Sequence, residues 1–129
     1  MTIRRSIDIE DEIRRMLDSY LTVYCRPLPA NFQTPCILIT QTGGTDASGH
    51  IDTFDVTLDA RATNSADASD TLRTAVALIR KLSRDSSTAV RHVEVNSSGS
   101  WGSDPVRPEL CMYSARLTVV AHLEEMTII

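Results

Sequence analysis

The stretch IDTFDVTLDAR, Ile51 to Arg61, decides the fold. In an extended chain Phe54, Val56, Leu58 and Ala60 share one face. Thr53, Asp55, Thr57, Asp59 and Arg61 share the other. Successive strand side chains point to opposite faces, so this regular alternation predicts a half-buried strand. Just upstream, Cys36-Ile37-Leu38-Ile39-Thr40 is apolar on both sides. Such a strand usually has cover on both faces. Together they predict an antiparallel hairpin of 36–42 and 51–61. Gly43 to Gly49 between them is expected to be a turn or flexible loop.

Outward from this hairpin the periodicity changes. Ala68, Leu72, Ala75, Val76, Ile79 and Leu82 recur at helical spacing, with Asn64 or Ser65 as the cap. Arg80, Lys81 and Arg84 suit the negative end of that helix dipole, and 85–87 ends it. On the other side, Ile9, Ile13, Met16, Leu17, Tyr20 and Leu21 predict a helix from Asp8 to Tyr20. Ser6 or Asp8 caps it, and Glu10, Asp11 and Glu12 fill its first turn. Leu21 to Cys25 is β-rich and can continue as a short extended piece. Pro27, Pro29 and Pro35 make 26–34 a loop.

Val90 to Val95 reads as a third strand, and 111–123 as a long last one. Cys111, Tyr113, Ala115, Leu117, Val119, Ala121 and Leu123 share one face of the latter, and Met112, Ser114, Arg116, Thr118, Val120 and His122 the other. The segment between, 96–108, holds SSGSWGSDPVRPE and is expected to be a loop, stiffened by Pro105 and Pro108. The order is helix, hairpin, helix, hairpin. It predicts one α+β domain, residues 1–129, with two helices on one face of a four- to five-stranded, mostly antiparallel sheet. The other face is either an ordinary solvated sheet face or a subunit contact.

The chain has 129 residues, 42% of them apolar, which suits a single core. A net charge of -4 argues against a nucleic-acid binder, which would carry a basic face. No long apolar run spans a membrane, and the acids after Arg4 and Arg5 are wrong for a secretory signal. A soluble protein made in a cytoplasm is therefore expected. Cys25, Cys36 and Cys111 are odd in number and widely spaced, so buried reduced thiols are expected.

No catalytic constellation is visible. His50, His92 and His122 lack a second ligand at metal-site spacing. Gly43-Gly44-Thr45 lacks the Gly-Lys-Ser/Thr of a phosphate loop. Ser98 to Gly102 leads toward a strand, whereas a nucleophile elbow must open a helix. Asp55/Asp59 and Glu124/Glu125 have no apolar surroundings of the kind that makes a carboxyl a general acid. A structural or interaction protein is expected, with no cofactor, no metal and no enzymatic activity. A small α+β ligand-binding domain or enzyme is the alternative from another class.

The whole layout resembles the tail terminator (tail completion, or tail-to-head joining) proteins of long-tailed bacteriophages. The features that carry the resemblance are the N-terminal amphipathic helix, the proline-rich link, PCILIT paired with FDVTLDA, the alanine-rich helix and the closing MYSARLTV strand. The resemblance implies a homo-oligomeric ring, typically a hexamer, on the head-proximal end of the tail tube. Such a ring stops tube polymerisation and offers the surface for joining the head. The implied partners are further copies of the chain, the tail tube protein and a head–tail connector protein. DNA passes through without specific binding, no membrane is involved, and the location is the virion neck. A head–tail connector or stopper, or a minor tail protein of the same neck, is the nearest rival.

In that frame the segments 43–50 and 96–108 are natural contact elements. Trp101, Arg107, Thr45, Asp46 and His50 are the candidate partner contacts. Asp52, Asp55 and Asp59, with Asp46, are candidate acids for a lumen or sheet face. Trp101 either plugs the edge of the monomer's core or is held out as an interface anchor. Deleting 45–48 or 98–103 is expected to leave folding intact and abolish joining.

Overall fold

A computed structural model describes residues 1–46, 49–85 and 87–129. The elements follow in the order β1 (Thr2–Arg5), α1 (Ile9–Leu17), β2 (Val23–Cys25), β3 (Cys36–Asp46), β4 (Ile51–Ala62), α2 (Ser65–Leu82), β5 (Val90–Ser103), β6 (Cys111–His122) and β7 (Glu124–Thr127). Strands take up 47% of the chain and helices 22%, so this is a sheet-rich α+β fold.

The expected single sheet of four to five strands is corrected by the structure. There are two sheets: a five-stranded one in the order β2-β3-β4-β6-β5, and a separate ribbon of β1 with β7. The ribbon escapes periodicity because its segments are short and polar. Arg4 lies opposite Glu125 and Arg5 opposite Glu124, and Arg5 Nε reaches Glu124 Oε1 at 2.6 Å. Opposite charges facing each other across an antiparallel pair stabilise it modestly. In the larger sheet β2 runs parallel to β3, and β3-β4-β6-β5 are successively antiparallel.

The central alternation is kept. Phe54, Val56, Leu58 and Ala60 of β4 and Ala115, Leu117, Val119 and Ala121 of β6 are buried in the main core. Ile9, Ile13, Met16 and Leu17 of α1 and Leu72, Ala75, Val76 and Ile79 of α2 cover them. Each buried Leu, Ile or Val contributes roughly 1.5–3 kcal/mol by leaving water. Asp8 caps α1 and Asn64 caps α2, each accepting from a backbone N–H three residues on. α1 stops at Leu17, before the expected Tyr20, which is exposed.

Two further expectations change. Gly43 to Asp46 belongs to β3 and does not open a loop; 47–48 lie outside the described residues. Glycine is required there by close approach: a Cβ on Gly44 would sit 2.7 Å from the Thr53 carbonyl oxygen. Likewise 96–103 is not a loop. β5 continues to Ser103, with Trp101 opposite Tyr113 and Ser103 opposite Cys111. Its serines and glycines follow the ladder through register shifts between Val90 and His92, Val95 and Ser97, and Ser98 and Ser100. Deleting 98–103 would therefore remove a length of strand, not a dispensable loop.

Candidate functional site

The strand register sorts the candidate contact residues into two groups. Asp46 lies opposite Asp52, Asp52 opposite Ala121, and Ala121 opposite Val90. That row marks one end of the sheet and holds Thr45, Asp46, His50 and Asp52. A second row runs Val23, Ile37, Ala60, Tyr113, Trp101. It lies toward the other end, where the tip after β5 also brings Arg107. The two predicted contact segments thus occupy opposite ends of one sheet.

Trp101 is 61% exposed. It lies on an edge strand and does not plug the monomer's core. Arg107 is half-buried, its guanidinium 5.0 Å over the Phe32 ring and its Nε 3.1 Å from Glu109 Oε1. Thr45 is exposed at the end of β3. Arg4 Nη1 donates to His50 Nδ1 at 2.8 Å, which ties the β1–β7 ribbon to the sheet.

The three acids part company. Asp52 is only 3% exposed. It accepts from Ser6 Oγ through Oδ2, while Oδ1 has no partner among the described residues. Asp52 faces inward, with Ser6 just after β1 against it, so it is not a surface acid. Its even position in β4 already put it on the Phe54 side. Asp59 is half-buried and accepts from Ser114 Oγ. Asp55 is exposed and shares a cleft of about 460 Å³ with Thr42, Thr57, Asn96 and Arg116. This outer sheet face is therefore hydroxyl-rich, with Arg116 among the carboxylates of its cleft.

A pair that the sequence did not flag holds the Trp101 end together. Arg61 Nε donates to Asp104 Oδ2 at 2.7 Å, with side chains 9% and 3% exposed. Asp104 Oδ1 accepts from the Val106 and Arg107 N–H groups at 2.8 and 3.2 Å. Phe32, Cys36 and Leu110 form a small apolar cluster on the same outer face. Cys36 explains the two-sided apolarity of its strand: one side meets the helices, the other this cluster. Burial pushes Asp104 up, but the Val106 N–H, Arg61 and the Arg107 N–H outweigh it and leave the carboxyl below its ordinary value. The available signal was Asp104-Pro105, since Asp before Pro favours turn initiation.

The other titration shifts belong to structural contacts. Burial raises the Cys36 thiol to about 11 and raises Cys25 as well. Burial raises Glu10, but Arg26 and the Gln41 N–H leave it lowered. Arg14 lowers Asp11. None of these groups lines the Asp55–Arg116 cleft. Among the described residues no group of three or more His, Cys, Asp or Glu can hold a metal ion. No helix among them is long and apolar enough to cross a membrane.

No known family model and no curated protein matches this chain.

Proposed function

We propose that this chain is a structural subunit of a bacteriophage neck. Copies of it form a ring, hexameric by the family resemblance, that caps the head-proximal end of the tail tube. The ring stops tube growth and offers the surface that joins the head. The observation that supports this best is the division of contact elements. One group (Thr45, Asp46, His50) and another (Trp101, Arg107) stand at opposite ends of a sheet whose edge strands are β2 and β5. A ring subunit needs this arrangement: edges for its neighbours, one end for the tube and one for the connector. The net charge of -4 per subunit suits a passage that DNA crosses without being held. Asp55 and Asp59 on the outer sheet face are the acids that fit such a lumen. The work is contact-making in the virion, after assembly in the host bacterial cytoplasm, with no reaction and no cofactor.

Tube protein polymerised with and without this chain tests the proposal. Arrest of growth at substoichiometric amounts supports a cap. Unchanged tube lengths contradict it. Filaments formed by this chain alone would favour the polymerising minor tail protein, a reading that two edge strands also serve.

A further inference from the structure

The end of the sheet that holds Thr45 and His50 also holds a cavity. Its volume is about 240 Å³, and Ser6, Ile7, Gln41, Thr45, Asp52 and Phe54 are in its wall. β3 and β4 bring the sheet residues, and the short link between β1 and α1 brings Ser6 and Ile7. Phe54 belongs to the main core and Ile7 packs against it, so part of the wall is apolar. The rest is hydroxyl, amide and one carboxylate.

That carboxylate has no counter-charge. Asp52 is only 3% exposed, and among the described residues it is in no ion pair. Ser6 Oγ donates to Oδ2, while Oδ1 is buried without a partner. The two arginines just before the link are engaged elsewhere: Arg4 Nη1 donates to His50 Nδ1, and Arg5 Nε to Glu124 Oε1. By register the row Asp46, Asp52, Ala121, Val90 contains two acids and no base. Taking a carboxylate out of water is costly unless a cation or enough donors replace the water. One hydroxyl does not do so, and the missing charge is left to a ligand.

Size and lining narrow that ligand. A water takes about 30 Å³ of liquid, so the space exceeds what one water or a bare metal ion needs. A metal would also find only one anionic ligand in this wall. An apolar wall beside a single available carboxylate oxygen suits a lysine, whose stem can lie on Ile7 and Phe54 while its ammonium stays polar at the tip. Arginine fits less well, because its planar fork takes both oxygens of a carboxylate and Ser6 already holds Oδ2.

We propose that this cavity receives a lysine side chain of a partner protein, with the ammonium on Asp52 Oδ1. Oδ1 is closed to water in the free chain, so entry goes with a small shift of the Ser6–Ile7 link. The inference deepens the neck reading, on which it rests for the protein that supplies the lysine: the tube or the connector, whichever meets this end.

The test uses n-butylammonium chloride as the lysine stem and head, titrated into the full chain with no tail component present. Amide chemical shifts of Ser6, Ile7, Gln41 and Asp52 should move and saturate at about millimolar probe. n-Butanol, the same stem without the charge, should leave them in place, and n-butylguanidinium should bind more weakly. Asp52→Asn should weaken n-butylammonium binding about tenfold or more. It should melt at or above the parent's temperature, because it removes an unpaired buried charge and keeps an oxygen for Ser6. A carboxylate with a purely structural role would instead lower the melting temperature when replaced, and that result overturns the proposal. So does a parent chain in which these signals stay still, or respond to n-butanol as strongly. Calcium chloride moving them where n-butylammonium does not would mark a metal site and overturn it too. Neither tube nor connector enters these measurements, so the lysine site and tube capping can fail separately.

Discussion

At the scale of single residues the most consequential group is the buried pair of Arg61 and Asp104. Removing one partner strands the other charge, which costs about 3–5 kcal/mol. Asp104→Ala should therefore lower the unfolding free energy by that amount in urea titration, and Arg61→Met with Asp104→Leu should recover most of it. The pair also sets a pH dependence. The folded Asp104 carboxyl is held below its ordinary value, so its stabilisation is complete above about pH 4. It is lost as pH falls through the folded value. Urea midpoints measured from pH 6 down to pH 2.5 should drop less in Asp104→Asn than in the parent. Neither Arg61 nor Asp104 could be paired from sequence, because 43 positions separate them and only the register of β4, β6 and the tip brings them together. Asp52 carries a related lesson. Its alternation placed it on the core face, yet an aspartate suggests solvent; the contact from Ser6, 46 positions away, that accompanies its burial has no periodic signal. Trp101 is different again. At 61% exposure its replacement by Ala should cost the monomer less than about 1 kcal/mol. The same change should weaken self-association measurably, and Trp fluorescence should shift to the blue as copies associate.

At the scale of elements the helices and the β3–β4 hairpin were legible because their burial is one-sided and regular. The stripe of α2 and the alternation of β4 each face one core. Asn64→Ala removes the cap of α2 and should cost about 1 kcal/mol, visible as a lower melting temperature. What could not be read were strands whose partners, not their own composition, make them strands. Gly43 to Asp46 and Ser97 to Ser103 consist of residues that favour turns. They stay extended because β4 and β6 present complete ladders beside them. β1 and β7 are still more dependent, since each is short and polar and finds its partner at the opposite end of the chain. Turn-rich composition thus concealed an open sheet edge, and with it the surface on which self-association is proposed to rest.

At the scale of the whole molecule three features come together: a sheet with β2 and β5 at its edges, candidate contact residues at both of its ends, and an acidic net charge. The helices on one face leave the hydroxyl-rich outer face with Asp55, Asp59 and Arg116 free to line a passage. In the proposed ring each copy would use each edge once, which would limit assembly where an open stack would continue. The most direct test is electron microscopy of the purified chain mixed with tubes polymerised from a phage tail tube protein. One ring at a single end of each tube is expected, with tube length no longer increasing. Decoration along the tube walls, filaments of this chain, or tubes with bare ends would contradict it.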